Sequence, residues 1–98
     1  MLPLELMTAP QLVGAVAQRA RRLRLDRNLT QQELAERAGM SLSSLRRFER
    51  TGEIAFLSLV RVAMALDASD GLGALFPEQV RSLDDLLEPP RRQRGRRS

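Results

Sequence analysis

Apolar residues between Thr30 and Thr51 recur at helical spacing on either side of one glycine. Thr30 stands as the N-cap of a first helix, and Glu33, three residues on, can return its carboxylate to the Thr30 backbone N–H. Leu29 and Leu34 hold the flanking positions of a hydrophobic staple, so this helix start is specified twice. Ala38-Gly39 ends the helix, because glycine enters the left-handed region without a Cβ penalty. Ser41 then caps a second helix whose apolar stripe runs Leu42, Leu45, Phe48 at i, i+3, i+6. Two short helices around a Gly-containing turn form a helix-turn-helix pattern.

The flanks follow the same logic. Upstream, Thr8 is a cap, Pro10 sits in the first turn, Gln11 takes the capping-box position, and Met7 and Leu12 make the staple. Leu12, Val16, Ala20 and Leu23 then mark one face of a long helix ending near Arg27-Asn28. Downstream, Gly52-Glu53 turns the chain. Ala55 to Leu66 is broken only by Ser58 and Arg61, which predicts a central helix buried almost all round. Asp67 to Gly71 reads as a loop, and Leu72, Leu75 and Phe76 as a short fifth helix stopped by Pro77. Ser82 to Asp85 can cap a last turn carrying Leu83, Leu86 and Leu87, which is either core cover or an interface. Pro89-Pro90 ends regular structure. At the other end Leu2, Leu4 and Leu6 alternate around Pro3, suggesting a short strand or extended arm, against a frayed terminus resting on the bundle. The expected fold is all-α, a five-helix bundle with an arm at 1–8, a domain at 9–78, a short helical extension at 79–90 and a tail at 91–98.

Composition narrows the function classes. The 98 residues are 43% apolar with only three aromatics, all Phe, so the core must be built from Leu, Val and Ala. Cys and His are both absent, which removes disulfides, thiolate metal sites and the usual nucleophile–base pairs. With the carboxylates scattered over surface helices, neither an enzyme nor a metal or cofactor is expected. No apolar run reaches the length of about 18 residues that a membrane span needs, and no basic segment precedes an apolar one at the start. A cytoplasmic location is compatible with all of this.

All sixteen basic residues are Arg, for which coding bias in a GC-rich genome is the plain explanation. Their distribution says more. Residues 19–50 hold nine Arg against four acids, residues 51–90 two Arg against seven acids, and residues 91–98 five Arg with no acid. The molecule is polarised, with a basic helix-turn-helix half, an acidic second half and a basic tail, as a phosphate-facing head requires. Arg19, Arg21, Arg22, Arg24 and Arg27 crowd the end of the first helix. They read either as a solvated face complementing the helix dipole or as supplying a phosphate contact. The tail arginines Arg91, Arg92, Arg94, Arg96 and Arg97 have three competing readings: nonspecific attraction to nucleic acid, minor-groove insertion, or docking on an acidic protein. Arg94-Gly95-Arg96 resembles the core of an A·T hook without its tight prolines.

Thr30-Gln31, Leu34-Ala35, Gly39, Ser41, Leu45, Glu49 and Gly52 together resemble the recurring pattern of the lambda-repressor-like (XRE) DNA-binding domain, over about Arg19 to Phe76. One departure stands out: the family commonly runs Glu-x-Gly after the second helix, whereas this chain has Glu49-Arg50-Thr51-Gly52, one residue longer. The resemblance implies double-stranded DNA as partner, with the second helix in the major groove. Leu45 and Phe48 belong to the core, leaving Leu42, Ser43, Arg46, Arg47 and Arg50 outward. By resemblance Leu42, Ser43 and Arg47 are the base-reading positions, Arg47 fitting guanine O6 and N7, and Leu42 a thymine methyl. Gln31 matches the family's backbone-clamping glutamine, and Ser41, Ser44, Arg46 and Arg50 are further phosphate candidates. Glu49 is read as a structural partner for an arginine of the domain.

The implied function is a sequence-specific repressor acting as a homodimer on a palindromic operator, nucleoid-associated in a bacterial cytoplasm. Small size, an acidic second half and a basic tail resemble antitoxins of the HipB type, which repress their own operon and bind a HipA-family kinase-like toxin. A stand-alone or phage-type regulator is the alternative within that class. A protein-binding adaptor that uses the fold without reading DNA is the alternative outside it.

Overall fold

A computed structural model describes residues 3–79. The chain forms α1 (Ala9–Asp26), α2 (Gln31–Ala38), α3 (Leu42–Thr51), α4 (Phe56–Ala65) and a one-turn α5 (Asp70–Gly73), after a short 3-10 turn at Leu4–Leu6. Among the described residues the architecture is all-α, as expected. Both capping boxes are closed. Thr8 N–H donates to Gln11 Oε1 at 2.9 Å and Gln11 N–H to Thr8 Oγ1 at 3.3 Å. Thr30 N–H donates to Glu33 Oε1 at 2.8 Å and Glu33 N–H to Thr30 Oγ1 at 3.0 Å. Each box satisfies two amides that the helix itself cannot.

The C-termini of α1, α2 and α4 share one solution. Asn28, Gly39 and Asp67 all have φ between 55° and 68°. Beyond each, an amide reaches back: Leu29 to the Arg24 carbonyl, Met40 to Ala35, Ala68 to Ala63. That 6→1 bond is the Schellman arrangement, and it returns the next apolar residue to the core. Leu29 is buried, and Met40 and Ala68 pack against the core.

α3 packs on both α1 and α2, and α4 packs on α2. The core comprises Ala17, Leu29, Leu34, Ala35, Ala38, Leu45, Phe48, Val62 and Leu66. Three alanines among nine residues let the helices approach closely, and Phe48 is the largest fully buried side chain. No described helix is long and apolar enough to cross a membrane.

Three expectations need correction. Leu4–Leu6 is a 3-10 turn rather than a strand, held by Leu6 N–H to Pro3 O and Met7 N–H to Leu4 O. α4 is not buried all round: only Val62 is fully covered within it, while Phe56, Leu57 and Met64 are each about three-fifths exposed. The helix finds a partner for one stripe, and a uniformly apolar sequence cannot say which stripe that is. The fifth helix starts at Asp70, inside the expected loop, and closes at Gly73, before Leu75 and Phe76, which are exposed. The turn at Leu83–Leu87 and the arginine tail lie outside the described residues.

Candidate nucleic-acid interface

α3 is an amphipathic cylinder with its two ends fastened. Ser41 Oγ accepts the Ser44 N–H at 3.0 Å and so caps the start. Gly52, at φ 84°, accepts the left-handed turn at the end, and its N–H reaches the Phe48 carbonyl at 2.7 Å. A Cβ there would stand 2.7 Å from the Val13 carbonyl oxygen of α1, so both the turn and the close helix approach demand glycine. Leu45 and Phe48 point inward and are fully buried. At ten residues α3 is roughly 15 Å long, a length that fits a major groove.

The outward face of α3 gathers most of the expected contact residues. Ser43, Ser44, Arg46, Arg47 and Arg50 line one open depression of about 430 Å³, and all five are exposed. Ser41 does not line it, and its hydroxyl is committed to the cap, donating to Ser44 Oγ at 2.8 Å. Leu42 is half-buried and does not line the depression. Gln31, at the start of α2, joins the face through its amide oxygen, which accepts from Arg46 Nε at 3.4 Å. Its Nε2 donates to Glu49 Oε1 at 2.9 Å, and that nitrogen carries a second proton. The amides of Gln31 and Gln32 have no internal acceptor among the described residues, so the first turn of α2 can still receive an anion.

Two arginines behave differently from their reading in the basic cluster. Arg24 is not on a solvated face: it is 7% exposed and bound to Glu49 by Nε at 2.7 Å and Nη2 at 3.0 Å. Its Nη1 donates to the Leu29 carbonyl at 2.9 Å. One guanidinium thereby ties α1, the α1–α2 turn and α3 together, with Gln31 adding α2. The signal was present, since Ala17, Ala20 and Arg24 share one helical face, but the charge obscured it. Arg19, Arg21, Arg22 and Arg27 are exposed.

Arg47, the expected guanine reader, does not stand alone. Its Nε and Nη2 both reach one carboxylate oxygen of Glu53, at 2.9 and 2.5 Å, with both side chains about three-fifths exposed. Glu53 was legible only as a turn residue. The extra residue before Gly52 supplies the link: Thr51 extends α3 by one position, its hydroxyl donates to the Arg47 carbonyl at 2.8 Å, and it accepts the Glu53 N–H at 3.1 Å. Beyond that turn, α4 starts at Phe56 after an N-cap, Ala55, that offers no side-chain bond, leaving its first amides beside the groove that holds Arg47, Glu53 and Ser58.

The electrostatics of α2's start are favourable to the fold. Glu33 is held below the ordinary carboxylate range, first by the Thr30 N–H, then by the Thr30 hydroxyl, with a smaller contribution from Arg37. Three arginines on the outward face of α3 against one exposed carboxylate leave that face basic.

A family model described as helix-turn-helix matches residues 21–70, which include all of α2, α3 and α4 and half of the chain. No curated protein matches the chain. The matched segment carries the capped two-helix turn, the buried Leu45–Phe48 stripe and the basic outward face. The chain belongs to the helix-turn-helix family of lambda-repressor-like (XRE) type and is a DNA-binding transcription regulator.

Proposed function

We propose that the protein is a sequence-specific repressor that binds a palindromic operator as a homodimer. The observation carrying this reading is the single open face of α3, where Ser43, Ser44, Arg46, Arg47 and Arg50 converge while every terminus of that helix is fastened elsewhere. In this reading Arg47 takes a guanine edge, Ser43 and Leu42 contact neighbouring bases, and Gln31, Ser41, Ser44, Arg46 and Arg50 hold phosphates. A single recognition helix covers few base pairs, and pairing on half-sites about 34–36 Å apart supplies the missing affinity. Support for two copies comes from the large apolar side chains that α4 leaves exposed, Phe56, Leu57 and Met64.

Binding-site selection from random duplexes at physiological salt tests it. An enriched inverted repeat with half-sites one helical turn apart is the expected result. Arg47→Ala should then cost about 1–3 kcal/mol on that site and little on random DNA. Equal loss on both would make Arg47 a phosphate ligand.

Within this reading the chain is the autoregulating antitoxin of a HipA-type operon in a bacterial cytoplasm. The charge division supports it: residues 19–50 are basic, while residues 51–90 carry seven acids against two arginines, a charge suited to a partner other than DNA. Copurification of a kinase-like partner with the full chain is the test, and its absence would favour a stand-alone regulator.

A further inference from the structure

We infer that Glu53 is a positioning residue that aims Arg47 at a guanine edge, so that this carboxylate, rather than Arg47 alone, sets the sequence preference. The inference rests on the reading of α3 as the base-reading helix.

A guanidinium has two usable edges. Glu53 occupies the side edge, since a single carboxylate oxygen accepts from both Nε and Nη2. The end-on fork made by Nη1 and the outer proton of Nη2 stays open, and no acceptor takes Nη1 among the described residues. That end-on fork is the edge that matches guanine O6 and N7. Held at its side, the arginine loses the swing that would let it settle on any nearby phosphate.

The backbone that carries the carboxylate is itself anchored. Thr51 Oγ1 bonds the carbonyl of Arg47 and the amide of Glu53 at once, so residues 47, 51 and 53 form one unit. Gly52 between them is buried against the α1 backbone, and Ile54 after them packs on the core. Fold stability does not account for Glu53. Exposed ion pairs contribute little, and a carboxylate just beyond the C-terminus of α3 opposes the helix dipole. A negative charge beside a phosphate-facing surface also weakens general attraction to DNA, which by itself sharpens discrimination.

The experiment compares the full-length wild type, E53A, E53Q, R47A and the R47A/E53A double variant. Readouts are site selection, then affinity for the selected duplex, for the same duplex with the guanine under Arg47 replaced, and for random DNA. Thermal unfolding of each variant checks the fold. With E53A, affinity for random DNA should rise a few-fold, while most of the roughly 5- to 150-fold guanine discrimination that a bidentate contact supplies should be lost. E53Q keeps an acceptor without the charge and should retain most of the discrimination. In the R47A background E53A should leave discrimination unchanged. If E53A strengthened binding to every duplex equally, Glu53 would only repel phosphates and the inference would fall, with the DNA-reading role intact. If the wild type selected no sequence, both would fall.

Discussion

The protein contains two Arg–Glu pairs of like chemistry, and they do opposite things. Arg24 and Glu49 meet with side chains 8% and 4% exposed, whereas Arg47 and Glu53 meet at 64% and 61%. The buried pair is completed by the Leu29 carbonyl, which accepts from Arg24, and by Gln31, which donates to Glu49, so each charge is compensated where water cannot help. The exposed pair adds little to the stability of the fold and leaves the end-on edge of Arg47 open to a base. An arginine's position in a basic cluster therefore says nothing of its role until its depth is known.

The largest expected effect breaks the buried pair. Glu49→Ala leaves the Arg24 guanidinium buried without its counter-charge and should cost about 3–5 kcal/mol in chemical denaturation. Replacing both members together, Arg24→Met with Glu49→Leu, should cost far less, since no charge remains to be stranded. The contrast sharpens at Arg47. Its alanine variant should unfold within about 0.5 kcal/mol of wild type, its effect appearing only in DNA binding. Parity between Glu49→Ala and Arg47→Ala in denaturation would erase the distinction.

Next in size, Thr30→Ala opens the α2 capping box and should cost about 1 kcal/mol. The smallest expected effect separates the two boxes. The α1 box uses neutral Gln11, and the α2 box uses Glu33, whose carboxyl is held low by the Thr30 N–H. A group depressed in the folded state stabilises above its unfolded pKa and loses that contribution as pH falls through its folded value. Acid should therefore loosen the start of α2 and spare α1, and Glu33→Gln should flatten the difference. Hydrogen exchange of the Gln11 and Glu33 amides, followed into the acid range, reports each box separately.

How legible these features were depended on how local their causes are. Both boxes, the Leu29–Leu34 staple and the Gly39 stop were readable because each involves residues within a few positions of one another. The structural part of Glu49 was readable in kind, but its partner, 25 positions away, was not. Arg24 was hidden by its charge, although its helical phase placed it beside Ala17 and Ala20. For α4, twelve nearly uniform apolar positions held no phase information, so the side left uncovered had to come from packing. The short α5 contains Gly71 and Gly73, poor helix formers that made Asp67–Gly71 look like loop. The Arg47–Glu53 contact depended on the single residue by which this chain exceeds the family's usual spacing.

The fastening of α3 has one more consequence. Its ends are closed by Ser41, by the backbone amide of residue 44, by Thr51 and by Gly52, and its inner side by Leu45 and Phe48. Positions 43, 46, 47 and 50 hold up none of this. They are free to drift, or to be exchanged as a block, without the frame collapsing under the change. If α3 is the base-reading helix proposed above, a new target sequence is within reach of a few substitutions on its outward face.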